Sequence, residues 1–88
     1  MKVAFRQSFA KDLKGVKDRG LLNRVKELIE VIEAADSLAD VSNLKKLKGG
    51  SNYFRLRVGD YRVGITLDHD MVIFVRCLNR KDIYKYFP

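Results

Sequence analysis

The sequence predicts a small α+β protein in which two helices near the N-terminus precede an antiparallel sheet. Apolar residues recur at helical spacing between residues 9 and 35. Apolar and polar residues then alternate through Tyr53–Val58 and Tyr61–Leu67, which is typical of half-buried strands, and a mostly apolar segment follows at Met71–Leu78. Tight loops join these segments, so their pairing should be antiparallel. The expected element order is β-α-α-β-β-β with a short C-terminal tail, and the helices should cover one face of the sheet.

The N-terminal half supplies one strand and both helices of this prediction. Lys2–Gln7 alternates with two apolar residues on one side, which indicates the first strand. Ser8 is a suitable N-cap for a short helix that ends near Asp18–Gly20. A longer helix over Leu21–Ala35 carries one continuous apolar stripe, which favours burial against the sheet.

The C-terminal half supplies the other three strands. Ser37–Asn52 is expected to be a connection that contains a basic cluster and a turn, and these consist of Lys45, Lys46, Lys48 and Gly49-Gly50-Ser51. The strands are predicted at Tyr53–Val58, Tyr61–Leu67 and Met71–Leu78. The tail that begins at Asn79 is expected to form one or two helical turns or to stay extended.

Composition restricts the classes of function. A chain of 88 residues is expected to form a single domain over residues 1–88. Its 18 Lys and Arg against 11 Asp and Glu give a net charge of +7, which favours polyanionic partners over plain solubility. The single Cys77 fits a reducing, cytoplasmic compartment, and the longest apolar run is too short to span a membrane.

Strand alternation predicts a row of arginines on the sheet face without helices. A two-residue loop at Gly59-Asp60 would place Arg57 directly opposite Arg62. A three-residue loop at Asp68-His69-Asp70 would place Arg62 opposite Arg76. A two-residue loop there would turn Arg76 toward the helices, which is costly for an unpaired charge. The expected row is therefore Arg57–Arg62–Arg76.

Such a row predicts a site for an anion. Each opposed pair of like charges should cost about 0.2–1 kcal/mol, and the strands contain no acidic residue on that face to offset it. Arg55 should lie nearby, opposite Gly64, where open space is left beside it. Arginine suits phosphate because its guanidinium donates two parallel hydrogen bonds. The alternative is a solvated face on which long side chains splay apart.

Other kinds of active site are not supported. The chain has one histidine and one cysteine, too few for a metal centre of those ligands, and Gly49-Gly50 does not continue as a phosphate-binding loop. His69 is expected to be a turn residue. An enzyme would have to work through clustered Arg and Lys side chains that stabilise developing charge. Tyr84 or Tyr86 could stack on an unpaired base, although at least one aromatic residue of the tail should pack into the core.

Two segments resemble a known family. The motifs KKLKGGSNYFRLRVGDYRVGI and FVRCLNRKDIYKYF, with the predicted element order, are similar to the RelE/ParE toxin superfamily of bacterial toxin–antitoxin systems. The resemblance covers essentially the whole chain. It implies the RelE-like fold, no cofactor, and a cognate antitoxin as protein partner.

The RelE branch of this superfamily implies an mRNA endonuclease that cuts codons in the ribosomal A site. The 2′-hydroxyl of the RNA attacks the adjacent phosphate and leaves a 2′,3′-cyclic phosphate. The resemblance assigns catalytic roles to Arg57, Arg62, Arg80 and Tyr84. RNA contacts are expected from Arg55, Lys81 and Tyr86 by the same resemblance, from Arg76 by its place in the predicted row, and from Lys46 and Lys48 by their place in the basic cluster. Tyr84 and Tyr86 remain alternatives for base stacking, as do Arg80 and Lys81 for the basic residue before the tail.

The identity of a general base is the main departure from the family pattern. Some relatives carry lysines where this chain has Arg55 and Arg57, so Lys46 or Lys48 would have to substitute. Two other functions stay open on the same fold. One is a ParE-like toxin that inhibits DNA gyrase by binding, and the other is a non-catalytic basic module that binds nucleic acid or an acidic protein.

Overall fold

The structure, a computed structural model, describes residues 1–47 and 52–88. The elements are β1 (Lys2–Phe5), α1 (Gln7–Lys14), α2 (Arg19–Ala34), a 3₁₀ turn (Leu38–Asp40), β2 (Leu44–Lys46), β3 (Tyr53–Val58), β4 (Tyr61–Asp68), β5 (Met71–Asn79) and α3 (Ile83–Tyr86). The predicted turn at Gly49-Gly50-Ser51, and Lys48 before it, lie outside the described residues. In the described part of the chain, no helix is long and apolar enough to cross a membrane.

The strands form one five-stranded sheet in the order β1-β5-β4-β3-β2. The pairings of β3 with β4 and of β4 with β5 are antiparallel, as the short loops predicted, and β2 also pairs antiparallel to β3. The sheet differs from the prediction at both edges. β1 pairs parallel to β5, and β2 forms within the segment that was expected to be only a connection.

Both N-terminal helices begin earlier than predicted. α1 starts at Gln7 after Arg6, and Ser8 is not its cap. The Ser8 hydroxyl donates instead to the Val75 carbonyl at 2.6 Å, because that face of α1 lies against β5. α2 starts at Arg19, where the Asp18 carboxylate accepts the Leu21 N–H at 3.2 Å. Asp18 thus satisfies one of the free N–H groups of the first turn.

The core lies between the two helices and one face of the sheet. The buried apolar side chains that form it are Phe9, Val16, Leu21, Val25, Ile32, Leu38, Val41, Leu56, Val58, Val63, Ile65, Val72, Phe74 and Cys77. The strand residues of this set in β3 and β4 recur at every second position, as the period of two requires, whereas in β5 the spacing changes between Phe74 and Cys77. The opposite face of the sheet carries the arginines.

The register of β3 against β4 is the predicted one. Val58 pairs with Tyr61 across a Gly59-Asp60 loop, and Arg57 pairs with Arg62. Gly59 has φ of +58°, a backbone conformation that glycine adopts without steric cost. The same register places Arg55 opposite Gly64.

The predicted register of β4 against β5 is wrong. The loop contains two residues, His69 and Asp70, so Asp68 pairs with Met71. His69 takes φ of +55° in that turn. Arg76 then lies opposite Gly64 and not opposite Arg62, so the row Arg57–Arg62–Arg76 does not exist.

A β-bulge explains why Arg76 nevertheless shares a face with Arg62. Ile65 pairs with Phe74 while Gly64 pairs with Arg76, so Val75 is an extra residue in β5. Without it, the two-residue loop would have placed Arg76 on the helix side. The bulge restores the alternation, and the Ser8 hydroxyl binds the carbonyl of the extra residue.

Candidate nucleic-acid interface

A shallow pocket of about 190 Å³ lies on the sheet face opposite the helices. Its lining residues are Asn43, Lys45, Arg55, Arg57, Arg62 and Tyr84. Four of these six side chains are cationic, one is aromatic and none is acidic. We call this group the basic pocket. Its composition suits an anion with an attached aromatic group, as in a nucleotide.

Three adjacent strands bring the cations of the basic pocket together. Lys45 of β2 lies opposite Arg55 of β3, and Arg57 of β3 lies opposite Arg62 of β4. These residues share the open face because each strand places alternate side chains on it. Like charges that face each other across strands destabilise the sheet, so the arrangement requires a counter-ion from elsewhere to offset its cost.

Within the described ranges, no carboxylate supplies that counter-ion. Arg62 Nη1 donates to the backbone carbonyls of Gly59 and Tyr61 at 3.0 and 2.9 Å, which fixes the guanidinium but leaves its charge in place. Among the described residues, Arg76 forms an ion pair with Asp12 and His69 Nδ1 lies 2.8 Å from Asp68 Oδ1, and both contacts lie outside the basic pocket.

The structure separates the two tail tyrosines. The Tyr84 ring lies 4.4 Å from the Arg55 guanidinium carbon, in a cation–π contact, and 69% of Tyr84 is exposed. The Tyr86 ring lies near a different arginine, 5.6 Å from the guanidinium carbon of Arg76. Tyr84 is therefore the one of the two that borders the basic pocket.

Phe87 holds the tail against the open face of the sheet. Its ring is buried over Gly64, and a Cβ built at Gly64 would come within 2.7 Å of three ring atoms. The ring also meets Tyr53 edge-on at 5.6 Å between centroids. The predicted open space beside Arg55 is thus filled by an aromatic residue of the protein's own tail.

Arg76 has a counter-ion, which comes from α1 and not from the strands. Asp12 of α1 accepts its Nε at 2.8 Å and its Nη2 at 3.0 Å. The same carboxylate accepts the backbone N–H of Cys77 at 2.9 Å. The hydrogen bond to Asp12 raises the pKa of Arg76 above its ordinary value, against the opposing effect of burial. Arg76 is therefore less available to an external anion than the arginines of the basic pocket.

Three of the other predicted contacts lie away from the basic pocket. Lys46 pairs with Phe54, so its side chain is on the opposite face of the sheet. Arg80 and Lys81 are exposed in the turn after β5, where the Arg80 N–H donates to the Asp60 carbonyl at 2.8 Å. Lys48 lies outside the described residues. The catalytic role predicted for Arg80 and the RNA contacts predicted for Lys46, Lys48 and Lys81 stay predictions.

Sequence reasoning missed two residues of the basic pocket. Asn43 has φ of +62°, a conformation that asparagine tolerates better than most residues, and it leads the chain into β2. Lys45 was noted as part of a basic cluster but was not assigned to the site. The strand that places Lys45 in the pocket contains only three residues, Leu44–Lys46. The sequence is too short there for an alternation of apolar and polar residues to indicate a strand.

The fold and the basic pocket together are those of a small toxin of the type II toxin–antitoxin class. The sequence model described as the ParE toxin of type II toxin–antitoxin systems, parDE, matches residues 3–84. The chain therefore belongs to this toxin family, as its motifs predicted.

Individual relatives agree with this assignment. Toxin RelE3 of Methanocaldococcus jannaschii is 48% identical over 89 residues, which cover 100% of both chains. The crystal structure of a RelB–RelE antitoxin–toxin complex from Methanococcus jannaschii superimposes with a TM-score of 0.83 at 45% identity, covering 97% of this chain and 99% of that one. YafQ from E. coli shares the fold, with a TM-score of 0.75 at 21% identity over 94% and 97% of the chains.

Proposed function

We propose that the chain is an mRNA endonuclease that cleaves codons in the ribosomal A site and is the toxin of its toxin–antitoxin pair. The observation that carries this proposal is the basic pocket, in which four cations and Tyr84 converge without an acidic residue. Its relative Toxin RelE3 supports the choice of the RelE branch. The compartment that follows from a ribosomal target is the cytoplasm.

The RNA supplies the nucleophile of this reaction, so the main requirement on the protein is to stabilise the charge that develops on the phosphate. The 2′-hydroxyl of the RNA loses its proton to water as its oxygen attacks the adjacent phosphorus, the bond from phosphorus to the 5′-oxygen breaks, and the 5′-oxygen takes up a proton. A 2′,3′-cyclic phosphate and a 5′-hydroxyl result. Negative charge builds up on the non-bridging oxygens as the new bond forms. The guanidinium groups of Arg57 and Arg62 offer paired donors for those oxygens, with Arg55 beside them.

Lys45 is the candidate for protonating the leaving 5′-oxygen. Among the described residues that line the pocket, it carries the only ammonium group. Arginine cannot take this role because it does not give up its proton in proteins. Lys46, which the sequence offered as a general base, lies on the other face of the sheet, so Lys45 is preferred to it for proton transfer in the pocket. Lys45→Arg should therefore slow cleavage nearly as much as Lys45→Ala, although it keeps the charge.

The partner that restrains the toxin should be an acidic or mixed-charge antitoxin. The net charge of +7 and the exposed cations of the pocket attract such a chain. The related RelE chain crystallised in complex with RelB, which is consistent with this partner.

Primer extension on a defined mRNA in purified translating ribosomes tests the proposal. The wild type should produce cuts within A-site codons, and Arg57→Ala combined with Arg62→Ala should remove them. The matched control is Arg19→Ala combined with Lys26→Ala, which deletes the same charge from exposed positions on α2. Cuts that persist in the first variant would refute the assigned site, and a wild type that never cuts would refute the activity.

Inhibition of DNA gyrase by binding is the second candidate, because the matching family model is named for ParE. A supercoiling assay with purified gyrase separates the two. Inhibition of supercoiling without any cleavage on ribosomes would favour the gyrase target. Absence of both activities, with salt-sensitive binding to nucleic acid retained, would favour a non-catalytic module.

A further inference from the structure

We infer that Phe87 is a positioning residue for the proposed reaction, because its buried ring holds Tyr84 over the basic pocket. This inference rests on the proposed function in one respect only, which is the use of Tyr84 to stack on a base. The placement itself can be tested without RNA.

The tail cannot hold its own conformation. α3 comprises four residues and has no side-chain cap at its N-terminus. A helix this short is not stable by itself in water. Its position must come from contacts with the sheet, and the tail has two fully or nearly buried side chains to make them. Ile83 is 0% exposed and Phe87 is 4% exposed.

These two side chains lie four residues apart, and the tyrosines between them point outward. The Phe87 N–H donates to the Ile83 carbonyl at 2.9 Å, which closes the turn. Tyr84 and Tyr86 are 69% and 59% exposed. The turn therefore buries one side and presents both tyrosines on the other. The positions of the two tyrosines over the sheet therefore depend on where Ile83 and Phe87 are buried.

Gly64 is the seat of the Phe87 ring. It lies between Arg55 of β3 and Arg76 of β5 in the sheet, at a position where any side chain would collide with the ring. Tyr84 accordingly contacts Arg55, and Tyr86 lies beside Arg76. A glycine in the middle of a strand weakens it. At this position the absence of a side chain leaves the space that the Phe87 ring occupies.

The first experiment measures the position of Tyr84 directly by NMR. The Arg55 Nε–H resonance is shifted by the ring current of Tyr84, which lies 4.4 Å from the guanidinium carbon. Phe87→Ala and Gly64→Ala should both move this resonance to the value found in Tyr84→Ala. Phe87→Leu should restore part of the shift because it keeps an apolar anchor. The matched control is Phe5→Ala, a truncation of the same residue type whose ring stacks with Phe9 and Phe74.

An Arg55 resonance that stays at its wild-type value in Phe87→Ala would overturn the inference. Methyl resonances of Val63 and Ile65 report whether each variant keeps its core. A variant that loses its core signals is replaced by Phe87→Leu, whose smaller displacement of the Arg55 resonance should have the same direction.

The second experiment is a double-mutant cycle on the cleavage rate. Loss of one stacked base corresponds to roughly a 5- to 150-fold decrease. Tyr84→Ala and Phe87→Ala should each cause a decrease of this size. Phe87→Ala should have little further effect when Tyr84 is already alanine, because it acts through that ring. Multiplicative effects of the two changes would show that Phe87 does not act through Tyr84.

The two experiments separate the two proposals. If the wild type does not cleave mRNA, the proposed function fails while the NMR experiment still decides whether Phe87 positions Tyr84. If the wild type cleaves and the Arg55 resonance is insensitive to Phe87→Ala, the inference fails alone.

Discussion

Replacing Asp12 tests whether one carboxylate fastens α1 to the edge of β5. β1 pairs with β5 only as far as Phe74, so the next part of the β5 edge needs another partner. Asp12 supplies it by accepting the Cys77 N–H and two N–H groups of Arg76. Only 10% of its side chain is exposed, so water cannot readily replace it.

The cost of Asp12→Ala follows from the groups it leaves unpaired. A buried N–H without a partner costs about 1–3 kcal/mol, and this applies to Cys77. Breaking a buried ion pair costs about 3–5 kcal/mol. The side chain of Arg76 is 25% exposed, so breaking its ion pair with Asp12 should cost well below that range. We expect the free energy of unfolding to fall by about 2–4 kcal/mol, with a decrease in Tm of about 10–30 °C.

Urea unfolding followed by circular dichroism measures this loss. Asp12→Asn should cost less, about 1–2 kcal/mol, because it keeps an acceptor for the Cys77 N–H. Asp12→Ala should cost less in a background of Arg76→Ala, where no cation is left unpaired. Asp36→Ala, at an exposed position, serves as the control and should change stability by less than about 0.5 kcal/mol. An effect of Asp12→Ala as small as that of the control would refute this account.

Four further predictions concern the basic pocket and the core. Tyr84→Ala should slow mRNA cleavage by roughly 5- to 150-fold while Tyr86→Ala has little effect, and equal effects in primer extension would contradict the placement of Tyr84. Arg57→Thr should stabilise the free protein by about 0.2–1 kcal/mol in urea unfolding while it abolishes cleavage, since it relieves the repulsion with Arg62; a destabilised variant would contradict this. Arg57→Ala should also reduce the salt dependence of binding to single-stranded RNA by a slope of about 0.7, and Arg19→Ala should leave the slope near the wild-type value. Burial raises the pKa of the Cys77 thiol to about 11. Stability should therefore be full below the ordinary value of 9.0 and decline by about 2 kcal/mol as pH approaches 11, and Cys77→Ala should remove this part of the decline.

Local patterns in the sequence were enough to predict the helices, the faces of β3 and β4 and the first hairpin, but not the faces of β5. The pairing of Arg57 with Arg62 depends only on alternation and on a two-residue turn, and both are visible in the sequence. The parallel pairing of β1 with β5 joins residues about 70 positions apart, and no local pattern specifies it. The pairing of β2 with β3 was missed because β2 contains only three residues.

The candidate site could be predicted only in part for the same reason. Its arginines follow from strand alternation, whereas the contribution of Lys45 depends on β2. The choice between Tyr84 and Tyr86 depends on where Phe87 is seated, which is a contact across the sheet. The ion pair of Arg76 depends on a helix 64 residues earlier in the chain.

The extra residue at Val75 affects how toxins of this family should be aligned. Before Val75 the even-numbered residues of β5 face the core, as Phe74 does. After Val75 the odd-numbered residue Cys77 is buried, and the even-numbered Arg76 faces outward. In a homologue that lacks the bulge, an alignment without a gap would match Arg76 to a residue that points into the core. Functional positions in the last strand should therefore be compared after a single-residue gap is placed at Val75. Without this gap, a shift of register in the alignment would be mistaken for the loss of a basic residue.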